Sequence, residues 1–212
     1  MKTEDLIGAL AIDAETRTEP LARSLALAAL VGAALSAALF FATIGPRPDF
    51  AAALATPRFV LKFVECAALA AAAGHLALAL LRPAGDPSLG RTAVIAVAAA
   101  VALAVAIEAF VVPRAEWGTR IVGTNWFHCL TLVPLLSMPA IAVLLAAARR
   151  GAPTAPTRAG AAIGVLSGAI GAFFYAANCT DDSPLFVAVW YPLAIAATAA
   201  IGAAIGRRLL AW

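Results

Sequence analysis

Three cysteines, two histidines and a few carboxylates carry most of the chemistry open to this 212-residue chain. Cys129 directly follows His128, and Cys179 stands in the run Asn178-Cys179-Thr180-Asp181-Asp182. Thiolate, imidazole and carboxylate together suit a thiophilic or borderline divalent metal, so His128, Cys129, Cys179, Asp181 and Asp182 form a candidate ligand set. The two thiols alone could instead pair as a disulfide. No motif stands behind either chemistry: there is no CxxC pair, and no ligand pair has a characteristic metal spacing. The competing reading is two small, half-buried cysteines at helix ends beside an interfacial histidine. Cys66 is read as a packing residue and His75 as hydrogen-bonded packing.

A second group is ionisable. Lys62 and Glu65 are three residues apart on one helix face, and Glu108 lies near the end of a later apolar run. Charged groups inside a membrane are costly unless paired or hydrated, which makes the three candidate coupling residues. The plainer alternative is an intrahelical Lys62–Glu65 pair with Lys62 reaching outward to the interface.

These residues must be positioned by very apolar elements. The chain is 63% hydrophobic and 13% charged, whereas soluble domains are about half apolar and about a quarter charged. Crossing about 30 Å of hydrocarbon takes roughly 20 apolar residues. Apolar runs occur at about 22–44, 59–81, 92–112, 126–148, 159–177 and 184–206, bounded by Pro, Gly or charge. Inside lipid the backbone must satisfy its own hydrogen bonds, so each run is expected to be a helix. The expected fold is an all-α membrane protein: a six-helix transmembrane bundle over residues 21–212 with short loops, preceded by an N-terminal arm at 1–20. The arm opens with acidic residues rather than a basic stretch, unlike a secretory signal.

Lys and Arg distribute unevenly across such a bundle. Ten fall on the side of the termini and five on the other, which predicts both termini in the cytoplasm. The scattered basic residues act as anchors rather than a patch, so direct nucleic-acid binding is not expected and the bilayer itself is the first partner. Depth then locates the thiols. Cys129 stands 20 residues before Arg149, and Cys179 stands 21 after Arg158. At about 1.5 Å per residue, both lie about 30 Å from the turn joining the fourth and fifth spans, level with each other on the outer side. Gly160, Gly164 and Gly168 in the fifth span, and Gly202 and Gly206 in the sixth, recur every four residues as small-residue packing faces, within one bundle or between two copies.

The arm has its own pattern. Thr3 can cap a helix in which Leu6, Ile7 and Leu10 share an apolar face, while Glu4, Asp5 and Asp13 make the rest acidic. A helix this short is marginal alone in water, which fits a segment that folds on a partner.

The opening Met1-Lys2-Thr3-Glu4-Asp5-Leu6-Ile7-Gly8-Ala9-Leu10, the Phe127-His128-Cys129 segment and the run from Cys179 to Tyr191 resemble the NrsF-type anti-sigma factors, small six-span inner-membrane proteins of bacteria. The resemblance implies a non-enzymatic protein that holds an extracytoplasmic-function (ECF) sigma factor inactive at the membrane. It implies that Cys129 and Cys179 are the sensor pair for heavy-metal stress, with a heavy-metal ion as signal and no required cofactor. It makes Thr3, Glu4, Asp5, Leu6, Ile7, Leu10 and Asp13 candidate sigma-factor contacts. The alternatives are a membrane thiol oxidoreductase, which usually carries a CxxC pair, and a small metal transporter, whose site would lie nearer the midplane.

Overall fold

The computed structural model describes residues 20–211. The candidate arm contacts Thr3, Glu4, Asp5, Leu6, Ile7, Leu10 and Asp13 lie outside the described residues. Six long helices follow in order: α1 (Leu21–Thr43), α2 (Pro57–Leu80), α3 (Ser88–Val111), α4 (Trp126–Ala148), α5 (Pro156–Ala176) and α6 (Pro184–Leu209). Among the described residues there is no strand, and all six helices are long and apolar enough to cross a membrane. Their ends fall within about a turn of the expected runs. The helices start where the sequence supplies proline at the first turn, as at Pro57, Pro156 and Pro184, because proline's missing N–H is one the helix would not use there.

The helices alternate in direction. The loops 44–56, 112–125 and 177–183 therefore share one end of the bundle, here the distal end, opposite the end that carries residue 20 and residue 211. Helix α5 is the central post. It packs against α6, α2, α4 and α1, and 78% of its apolar window is buried, against 6% for the outlying α3.

Glycine explains how α5 can hold so many neighbours. A side chain on Gly160 would run into the carbonyl of Gly202, and one on Gly202 would lie 2.9 Å from the Gly164 Cα. A side chain on Gly206 would fall 2.6 Å from the Gly160 Cα. The two small-residue stripes thus face each other within one chain, which assigns them to packing of α5 on α6. Thr198 ties the seam, donating its hydroxyl to the Gly164 carbonyl at 3.0 Å.

One reading changes: His75 is exposed on α2 rather than packed. Tyr191 is buried in the core. Trp117, Trp126 and Trp190 do collect at the distal end, where Trp190 donates to the Ile121 carbonyl at 2.7 Å.

Candidate functional site

The distal end holds both thiols of interest. Cys129 lies in the first turn of α4, whose opening bond runs from the Cys129 N–H to the Asn125 carbonyl at 2.8 Å. Cys179 lies just past α5, where its N–H reaches back to the Tyr175 carbonyl at 3.0 Å and closes the helix end. Both side chains are fully buried, and they share one core cluster with Cys66, Tyr175 and Tyr191. All three cysteines are free thiols. Burial pushes the Cys179 thiol above its ordinary range, and the nearby Lys62 charge offsets part of that rise.

The loop carrying Cys179 is clasped from two sides. On one side Lys62, 1% exposed on α2, donates to the Cys179 carbonyl at 2.9 Å and lies 2.6 Å from the Asp182 carboxylate. Arg47, from the loop after α1, joins at 2.9 Å to the other Asp182 oxygen and grips Asp49 with two further bonds at 2.6 and 2.7 Å. That grip holds the Asp49 carboxyl below its usual range and raises Arg47 above its own. Both cations also sit over the Phe59 ring, at 5.5 Å for Arg47 and 5.1 Å for Lys62. The pairing is economical: a lysine this deep is tolerated because an anion and a carbonyl meet it.

On the other side Asp181 braces the turn that leads into α4. One carboxylate oxygen accepts from the Thr124 N–H at 2.9 Å, the Asn125 N–H at 2.8 Å and the Asn125 side-chain amide at 2.9 Å. The bonds fix the two residues that precede the helix, and a carboxylate near a helix N-terminus also complements the helix dipole. The close approach depends on Gly123, whose φ of +61° and lack of a side chain leave room for Phe186 and the Asp181 carboxyl. Asp181 therefore links the residue two after one cysteine to the turn four residues before the other.

The candidate residues thus divide. Cys129 and Cys179 come together, with Lys62, Asp181 and Asp182 around the Cys179 loop. His128 does not join them: neighbouring positions on a helix point about 100° apart, and His128 is exposed while Cys129 is buried. Among the described residues, no three His, Cys, Asp or Glu side chains converge into a set able to hold a metal ion. Lys62 and Glu65 do not pair, since Lys62 turns inward to Asp182. Glu108, 4% exposed, forms a neighbouring node with Arg58 at 2.9 Å, Arg120 at 3.4 Å and the Ser183 hydroxyl at 3.2 Å. It reaches the same loop one residue beyond Asp182. Arg47 was not singled out in the sequence. The only signal for it was a basic residue in a loop on the side with few of them.

Comparison with known proteins bears on this arrangement. The family model described as "Negative regulator of sigma F" matches residues 10–212. The chain is 36% identical to the anti-sigma-F factor NrsF of Caulobacter vibrioides (strain NA1000 / CB15N), with both chains fully covered. It is 37% identical to the probable anti-sigma-F factor NrsF of Azospira oryzae, again over the whole of both chains. No solved structure matches the chain.

Proposed function

The chain belongs to the NrsF family of negative regulators of sigma F, and on that premise we propose that it is an inner-membrane anti-sigma factor whose outer-side thiol pair controls its hold on an ECF sigma factor. The family role is regulatory rather than enzymatic. In this reading the six helices span the bacterial inner membrane with both termini in the cytoplasm, as the Lys and Arg bias favours. The arm of residues 1–20 meets the sigma factor through its acidic and apolar positions.

One observation carries the sensing part. The loop that holds Cys179 is bonded to the start of α4 through Asp181 and to α2 through Lys62. A heavy-metal ion shared by the Cys129 and Cys179 thiolates, or a disulfide formed when an external oxidant on the outer side takes two electrons and two protons from the two thiols, draws these two segments toward new positions. The carbonyl of Cys179 and the Asp181 brace on residues 124 and 125 then shift as well, and α2, α4 and the central α5 move with them. A switch needs the signal to favour the releasing arrangement by about a few kcal/mol, which metal bridging or a disulfide supplies. Lys62, Glu108 and Arg47 are the coupling residues by their contacts. Glu65 stands apart from that network.

The test is retention of the cognate sigma factor on membranes by the full-length protein, repeated after deletion of residues 1–18. Retention by the full chain that is lost on deletion supports the assignment. Retention that survives deletion moves the contact to the loops at Arg82–Arg91 and Arg149–Arg158. No retention by the full chain removes the anti-sigma reading for this protein.

A further inference from the structure

Cys129 and Cys179 are both 0% exposed, so a signal from outside reaches them only through another part of the fold. Two cavities adjoin their cluster. One is a groove of about 700 Å³ between α2, α3 and α6, lined by Val97, Val101, Val187 and Ile195 together with Cys66. An ion entering there sheds its water against valine and isoleucine, a large cost that such walls do not offset. The other, of about 740 Å³, lies at the distal end between the short helix Trp117–Val122 and the loop after α5. Its lining is polar and includes Arg58, Arg120, Thr124, Thr180, Asp181 and Asp182.

Asp181 stands between this polar cavity and both thiols. Its carbonyl accepts from the Cys179 thiol at 3.7 Å. Its carboxylate accepts from the Asn125 N–H at 2.8 Å, and the Asn125 carbonyl in turn accepts from the Cys129 N–H at 2.8 Å. The bonds to Thr124 and Asn125 all run through one carboxylate oxygen, and the second oxygen accepts none from the described residues. The two bonds to Thr124 are exposed, and solvent-exposed hydrogen bonds belong to the parts of a fold that open at least cost. Opening them parts the Cys179 loop from the turn that leads to Cys129. We propose that the cavity is the entry vestibule for a hydrated cation bound for the two thiols, and that the Asp181 bonds to Thr124 and Asn125 are its gate. The open carboxylate oxygen meets the ion, the bracing bonds loosen, and the thiols come within its reach. The inference rests on the thiol-sensing reading above and supplies the route by which the signal arrives.

The experiment uses the full-length protein in right-side-out membrane vesicles, exposed to the membrane-impermeant cation trimethylammonium-ethyl methanethiosulfonate. The reagent turns a thiol into a mixed disulfide and releases methanesulfinic acid, and mass spectrometry of the peptides carrying Cys129 and Cys179 follows both with time. Gly118 lines the cavity and has open space where a side chain would stand, so Gly118→Trp obstructs the vestibule without a clash. It is expected to slow modification of both cysteines several-fold while keeping the parent's unfolding midpoint. Asp181→Ala speeds modification about tenfold or more. Ala102→Phe, which obstructs the apolar groove instead, leaves the rate unchanged. A Gly118→Trp rate equal to the parent's overturns the proposal, as does a slowing by Ala102→Phe as large as that by Gly118→Trp. Failure of the reagent to modify either cysteine in Asp181→Ala also overturns it. The readout involves no sigma factor, so the route stands or falls separately from the hold on that partner.

Discussion

Asp182→Asn is the perturbation whose cost the structure specifies most sharply. It removes the anion facing Lys62, a side chain that is 1% exposed and 2.6 Å from the carboxylate. Breaking a buried pair by deleting one partner typically costs about 3–5 kcal/mol, because the other charge stays buried without compensation. The Cys179 carbonyl still accepts from Lys62 at 2.9 Å, which places the expected loss near the lower end, about 3 kcal/mol. The reverse change behaves differently. Lys62→Met leaves Asp182 bonded to Arg47 at 2.9 Å, with its side chain 22% open to solvent, so the anion keeps a cation and some water. What is lost is chiefly charge-assisted hydrogen bonding, about 1.5–3 kcal/mol. Asp182→Asn should therefore destabilise more than Lys62→Met. Lys62→Met combined with Asp182→Asn should cost less than the sum of the two, the signature of a coupled pair. Reversible unfolding in mixed micelles, read as the denaturing-detergent fraction at the midpoint, measures all three. A Lys62→Met loss equal to or larger than that of Asp182→Asn would refute the argument that the lysine is the group held against its preference.

Four other outcomes follow from the same contacts. Gly202→Leu should destabilise the bundle by about 3 kcal/mol or more in the same assay, because overpacking at a backbone-to-backbone seam has no flexible side chain to absorb it. Asp49 should titrate below an ordinary aspartate of about 3.9. Its folded pKa is depressed by Arg47, so its contribution is present above the unfolded pKa and is lost as pH falls through the folded one, a loss that Asp49→Asn removes from an acid titration of the distal loops followed by NMR. Cys179 should react with maleimide at neutral pH much more slowly than a free cysteine, since burial both shields the thiol and raises its pKa, and mass spectrometry of the intact protein reads the rate. Asp181→Ala removes the charge-assisted hydrogen bonds that brace the turn before α4 and should cost about 1.5–3 kcal/mol while raising the alkylation rate of Cys129.

The bundle was legible because hydrocarbon permits few alternatives. Once six apolar runs are counted, helices with ends near Pro, Gly and Arg follow from backbone satisfaction, and every observed boundary lies within about a turn of its run. The level of Cys129 and Cys179 was legible for a related reason: rise per residue converts chain distance to depth whatever the helix rotation. Rotation itself was not legible. The side of α4 that His128 faces, and whether Lys62 turns to Glu65 or to Asp182, depend on which helices stand next to each other. Spacing along one helix cannot supply that. Arg47 shows the same gap, since its partners Asp49 and Asp182 are joined only by the folding of two distal loops. The glycine stripes announced close packing but not the partner, which is α6 of the same chain.

The most direct test of the account is sigma-factor retention on inverted membrane vesicles, whose lumen encloses the outer face, prepared with and without a thiophilic cation such as cadmium loaded into the lumen. It compares the parent protein with the variant carrying both Cys129→Ser and Cys179→Ser. The account predicts that both proteins retain the sigma factor at the start, and that cadmium releases it from the parent alone. Release from the double variant to the same extent as from the parent would contradict the claim that this thiol pair controls the hold.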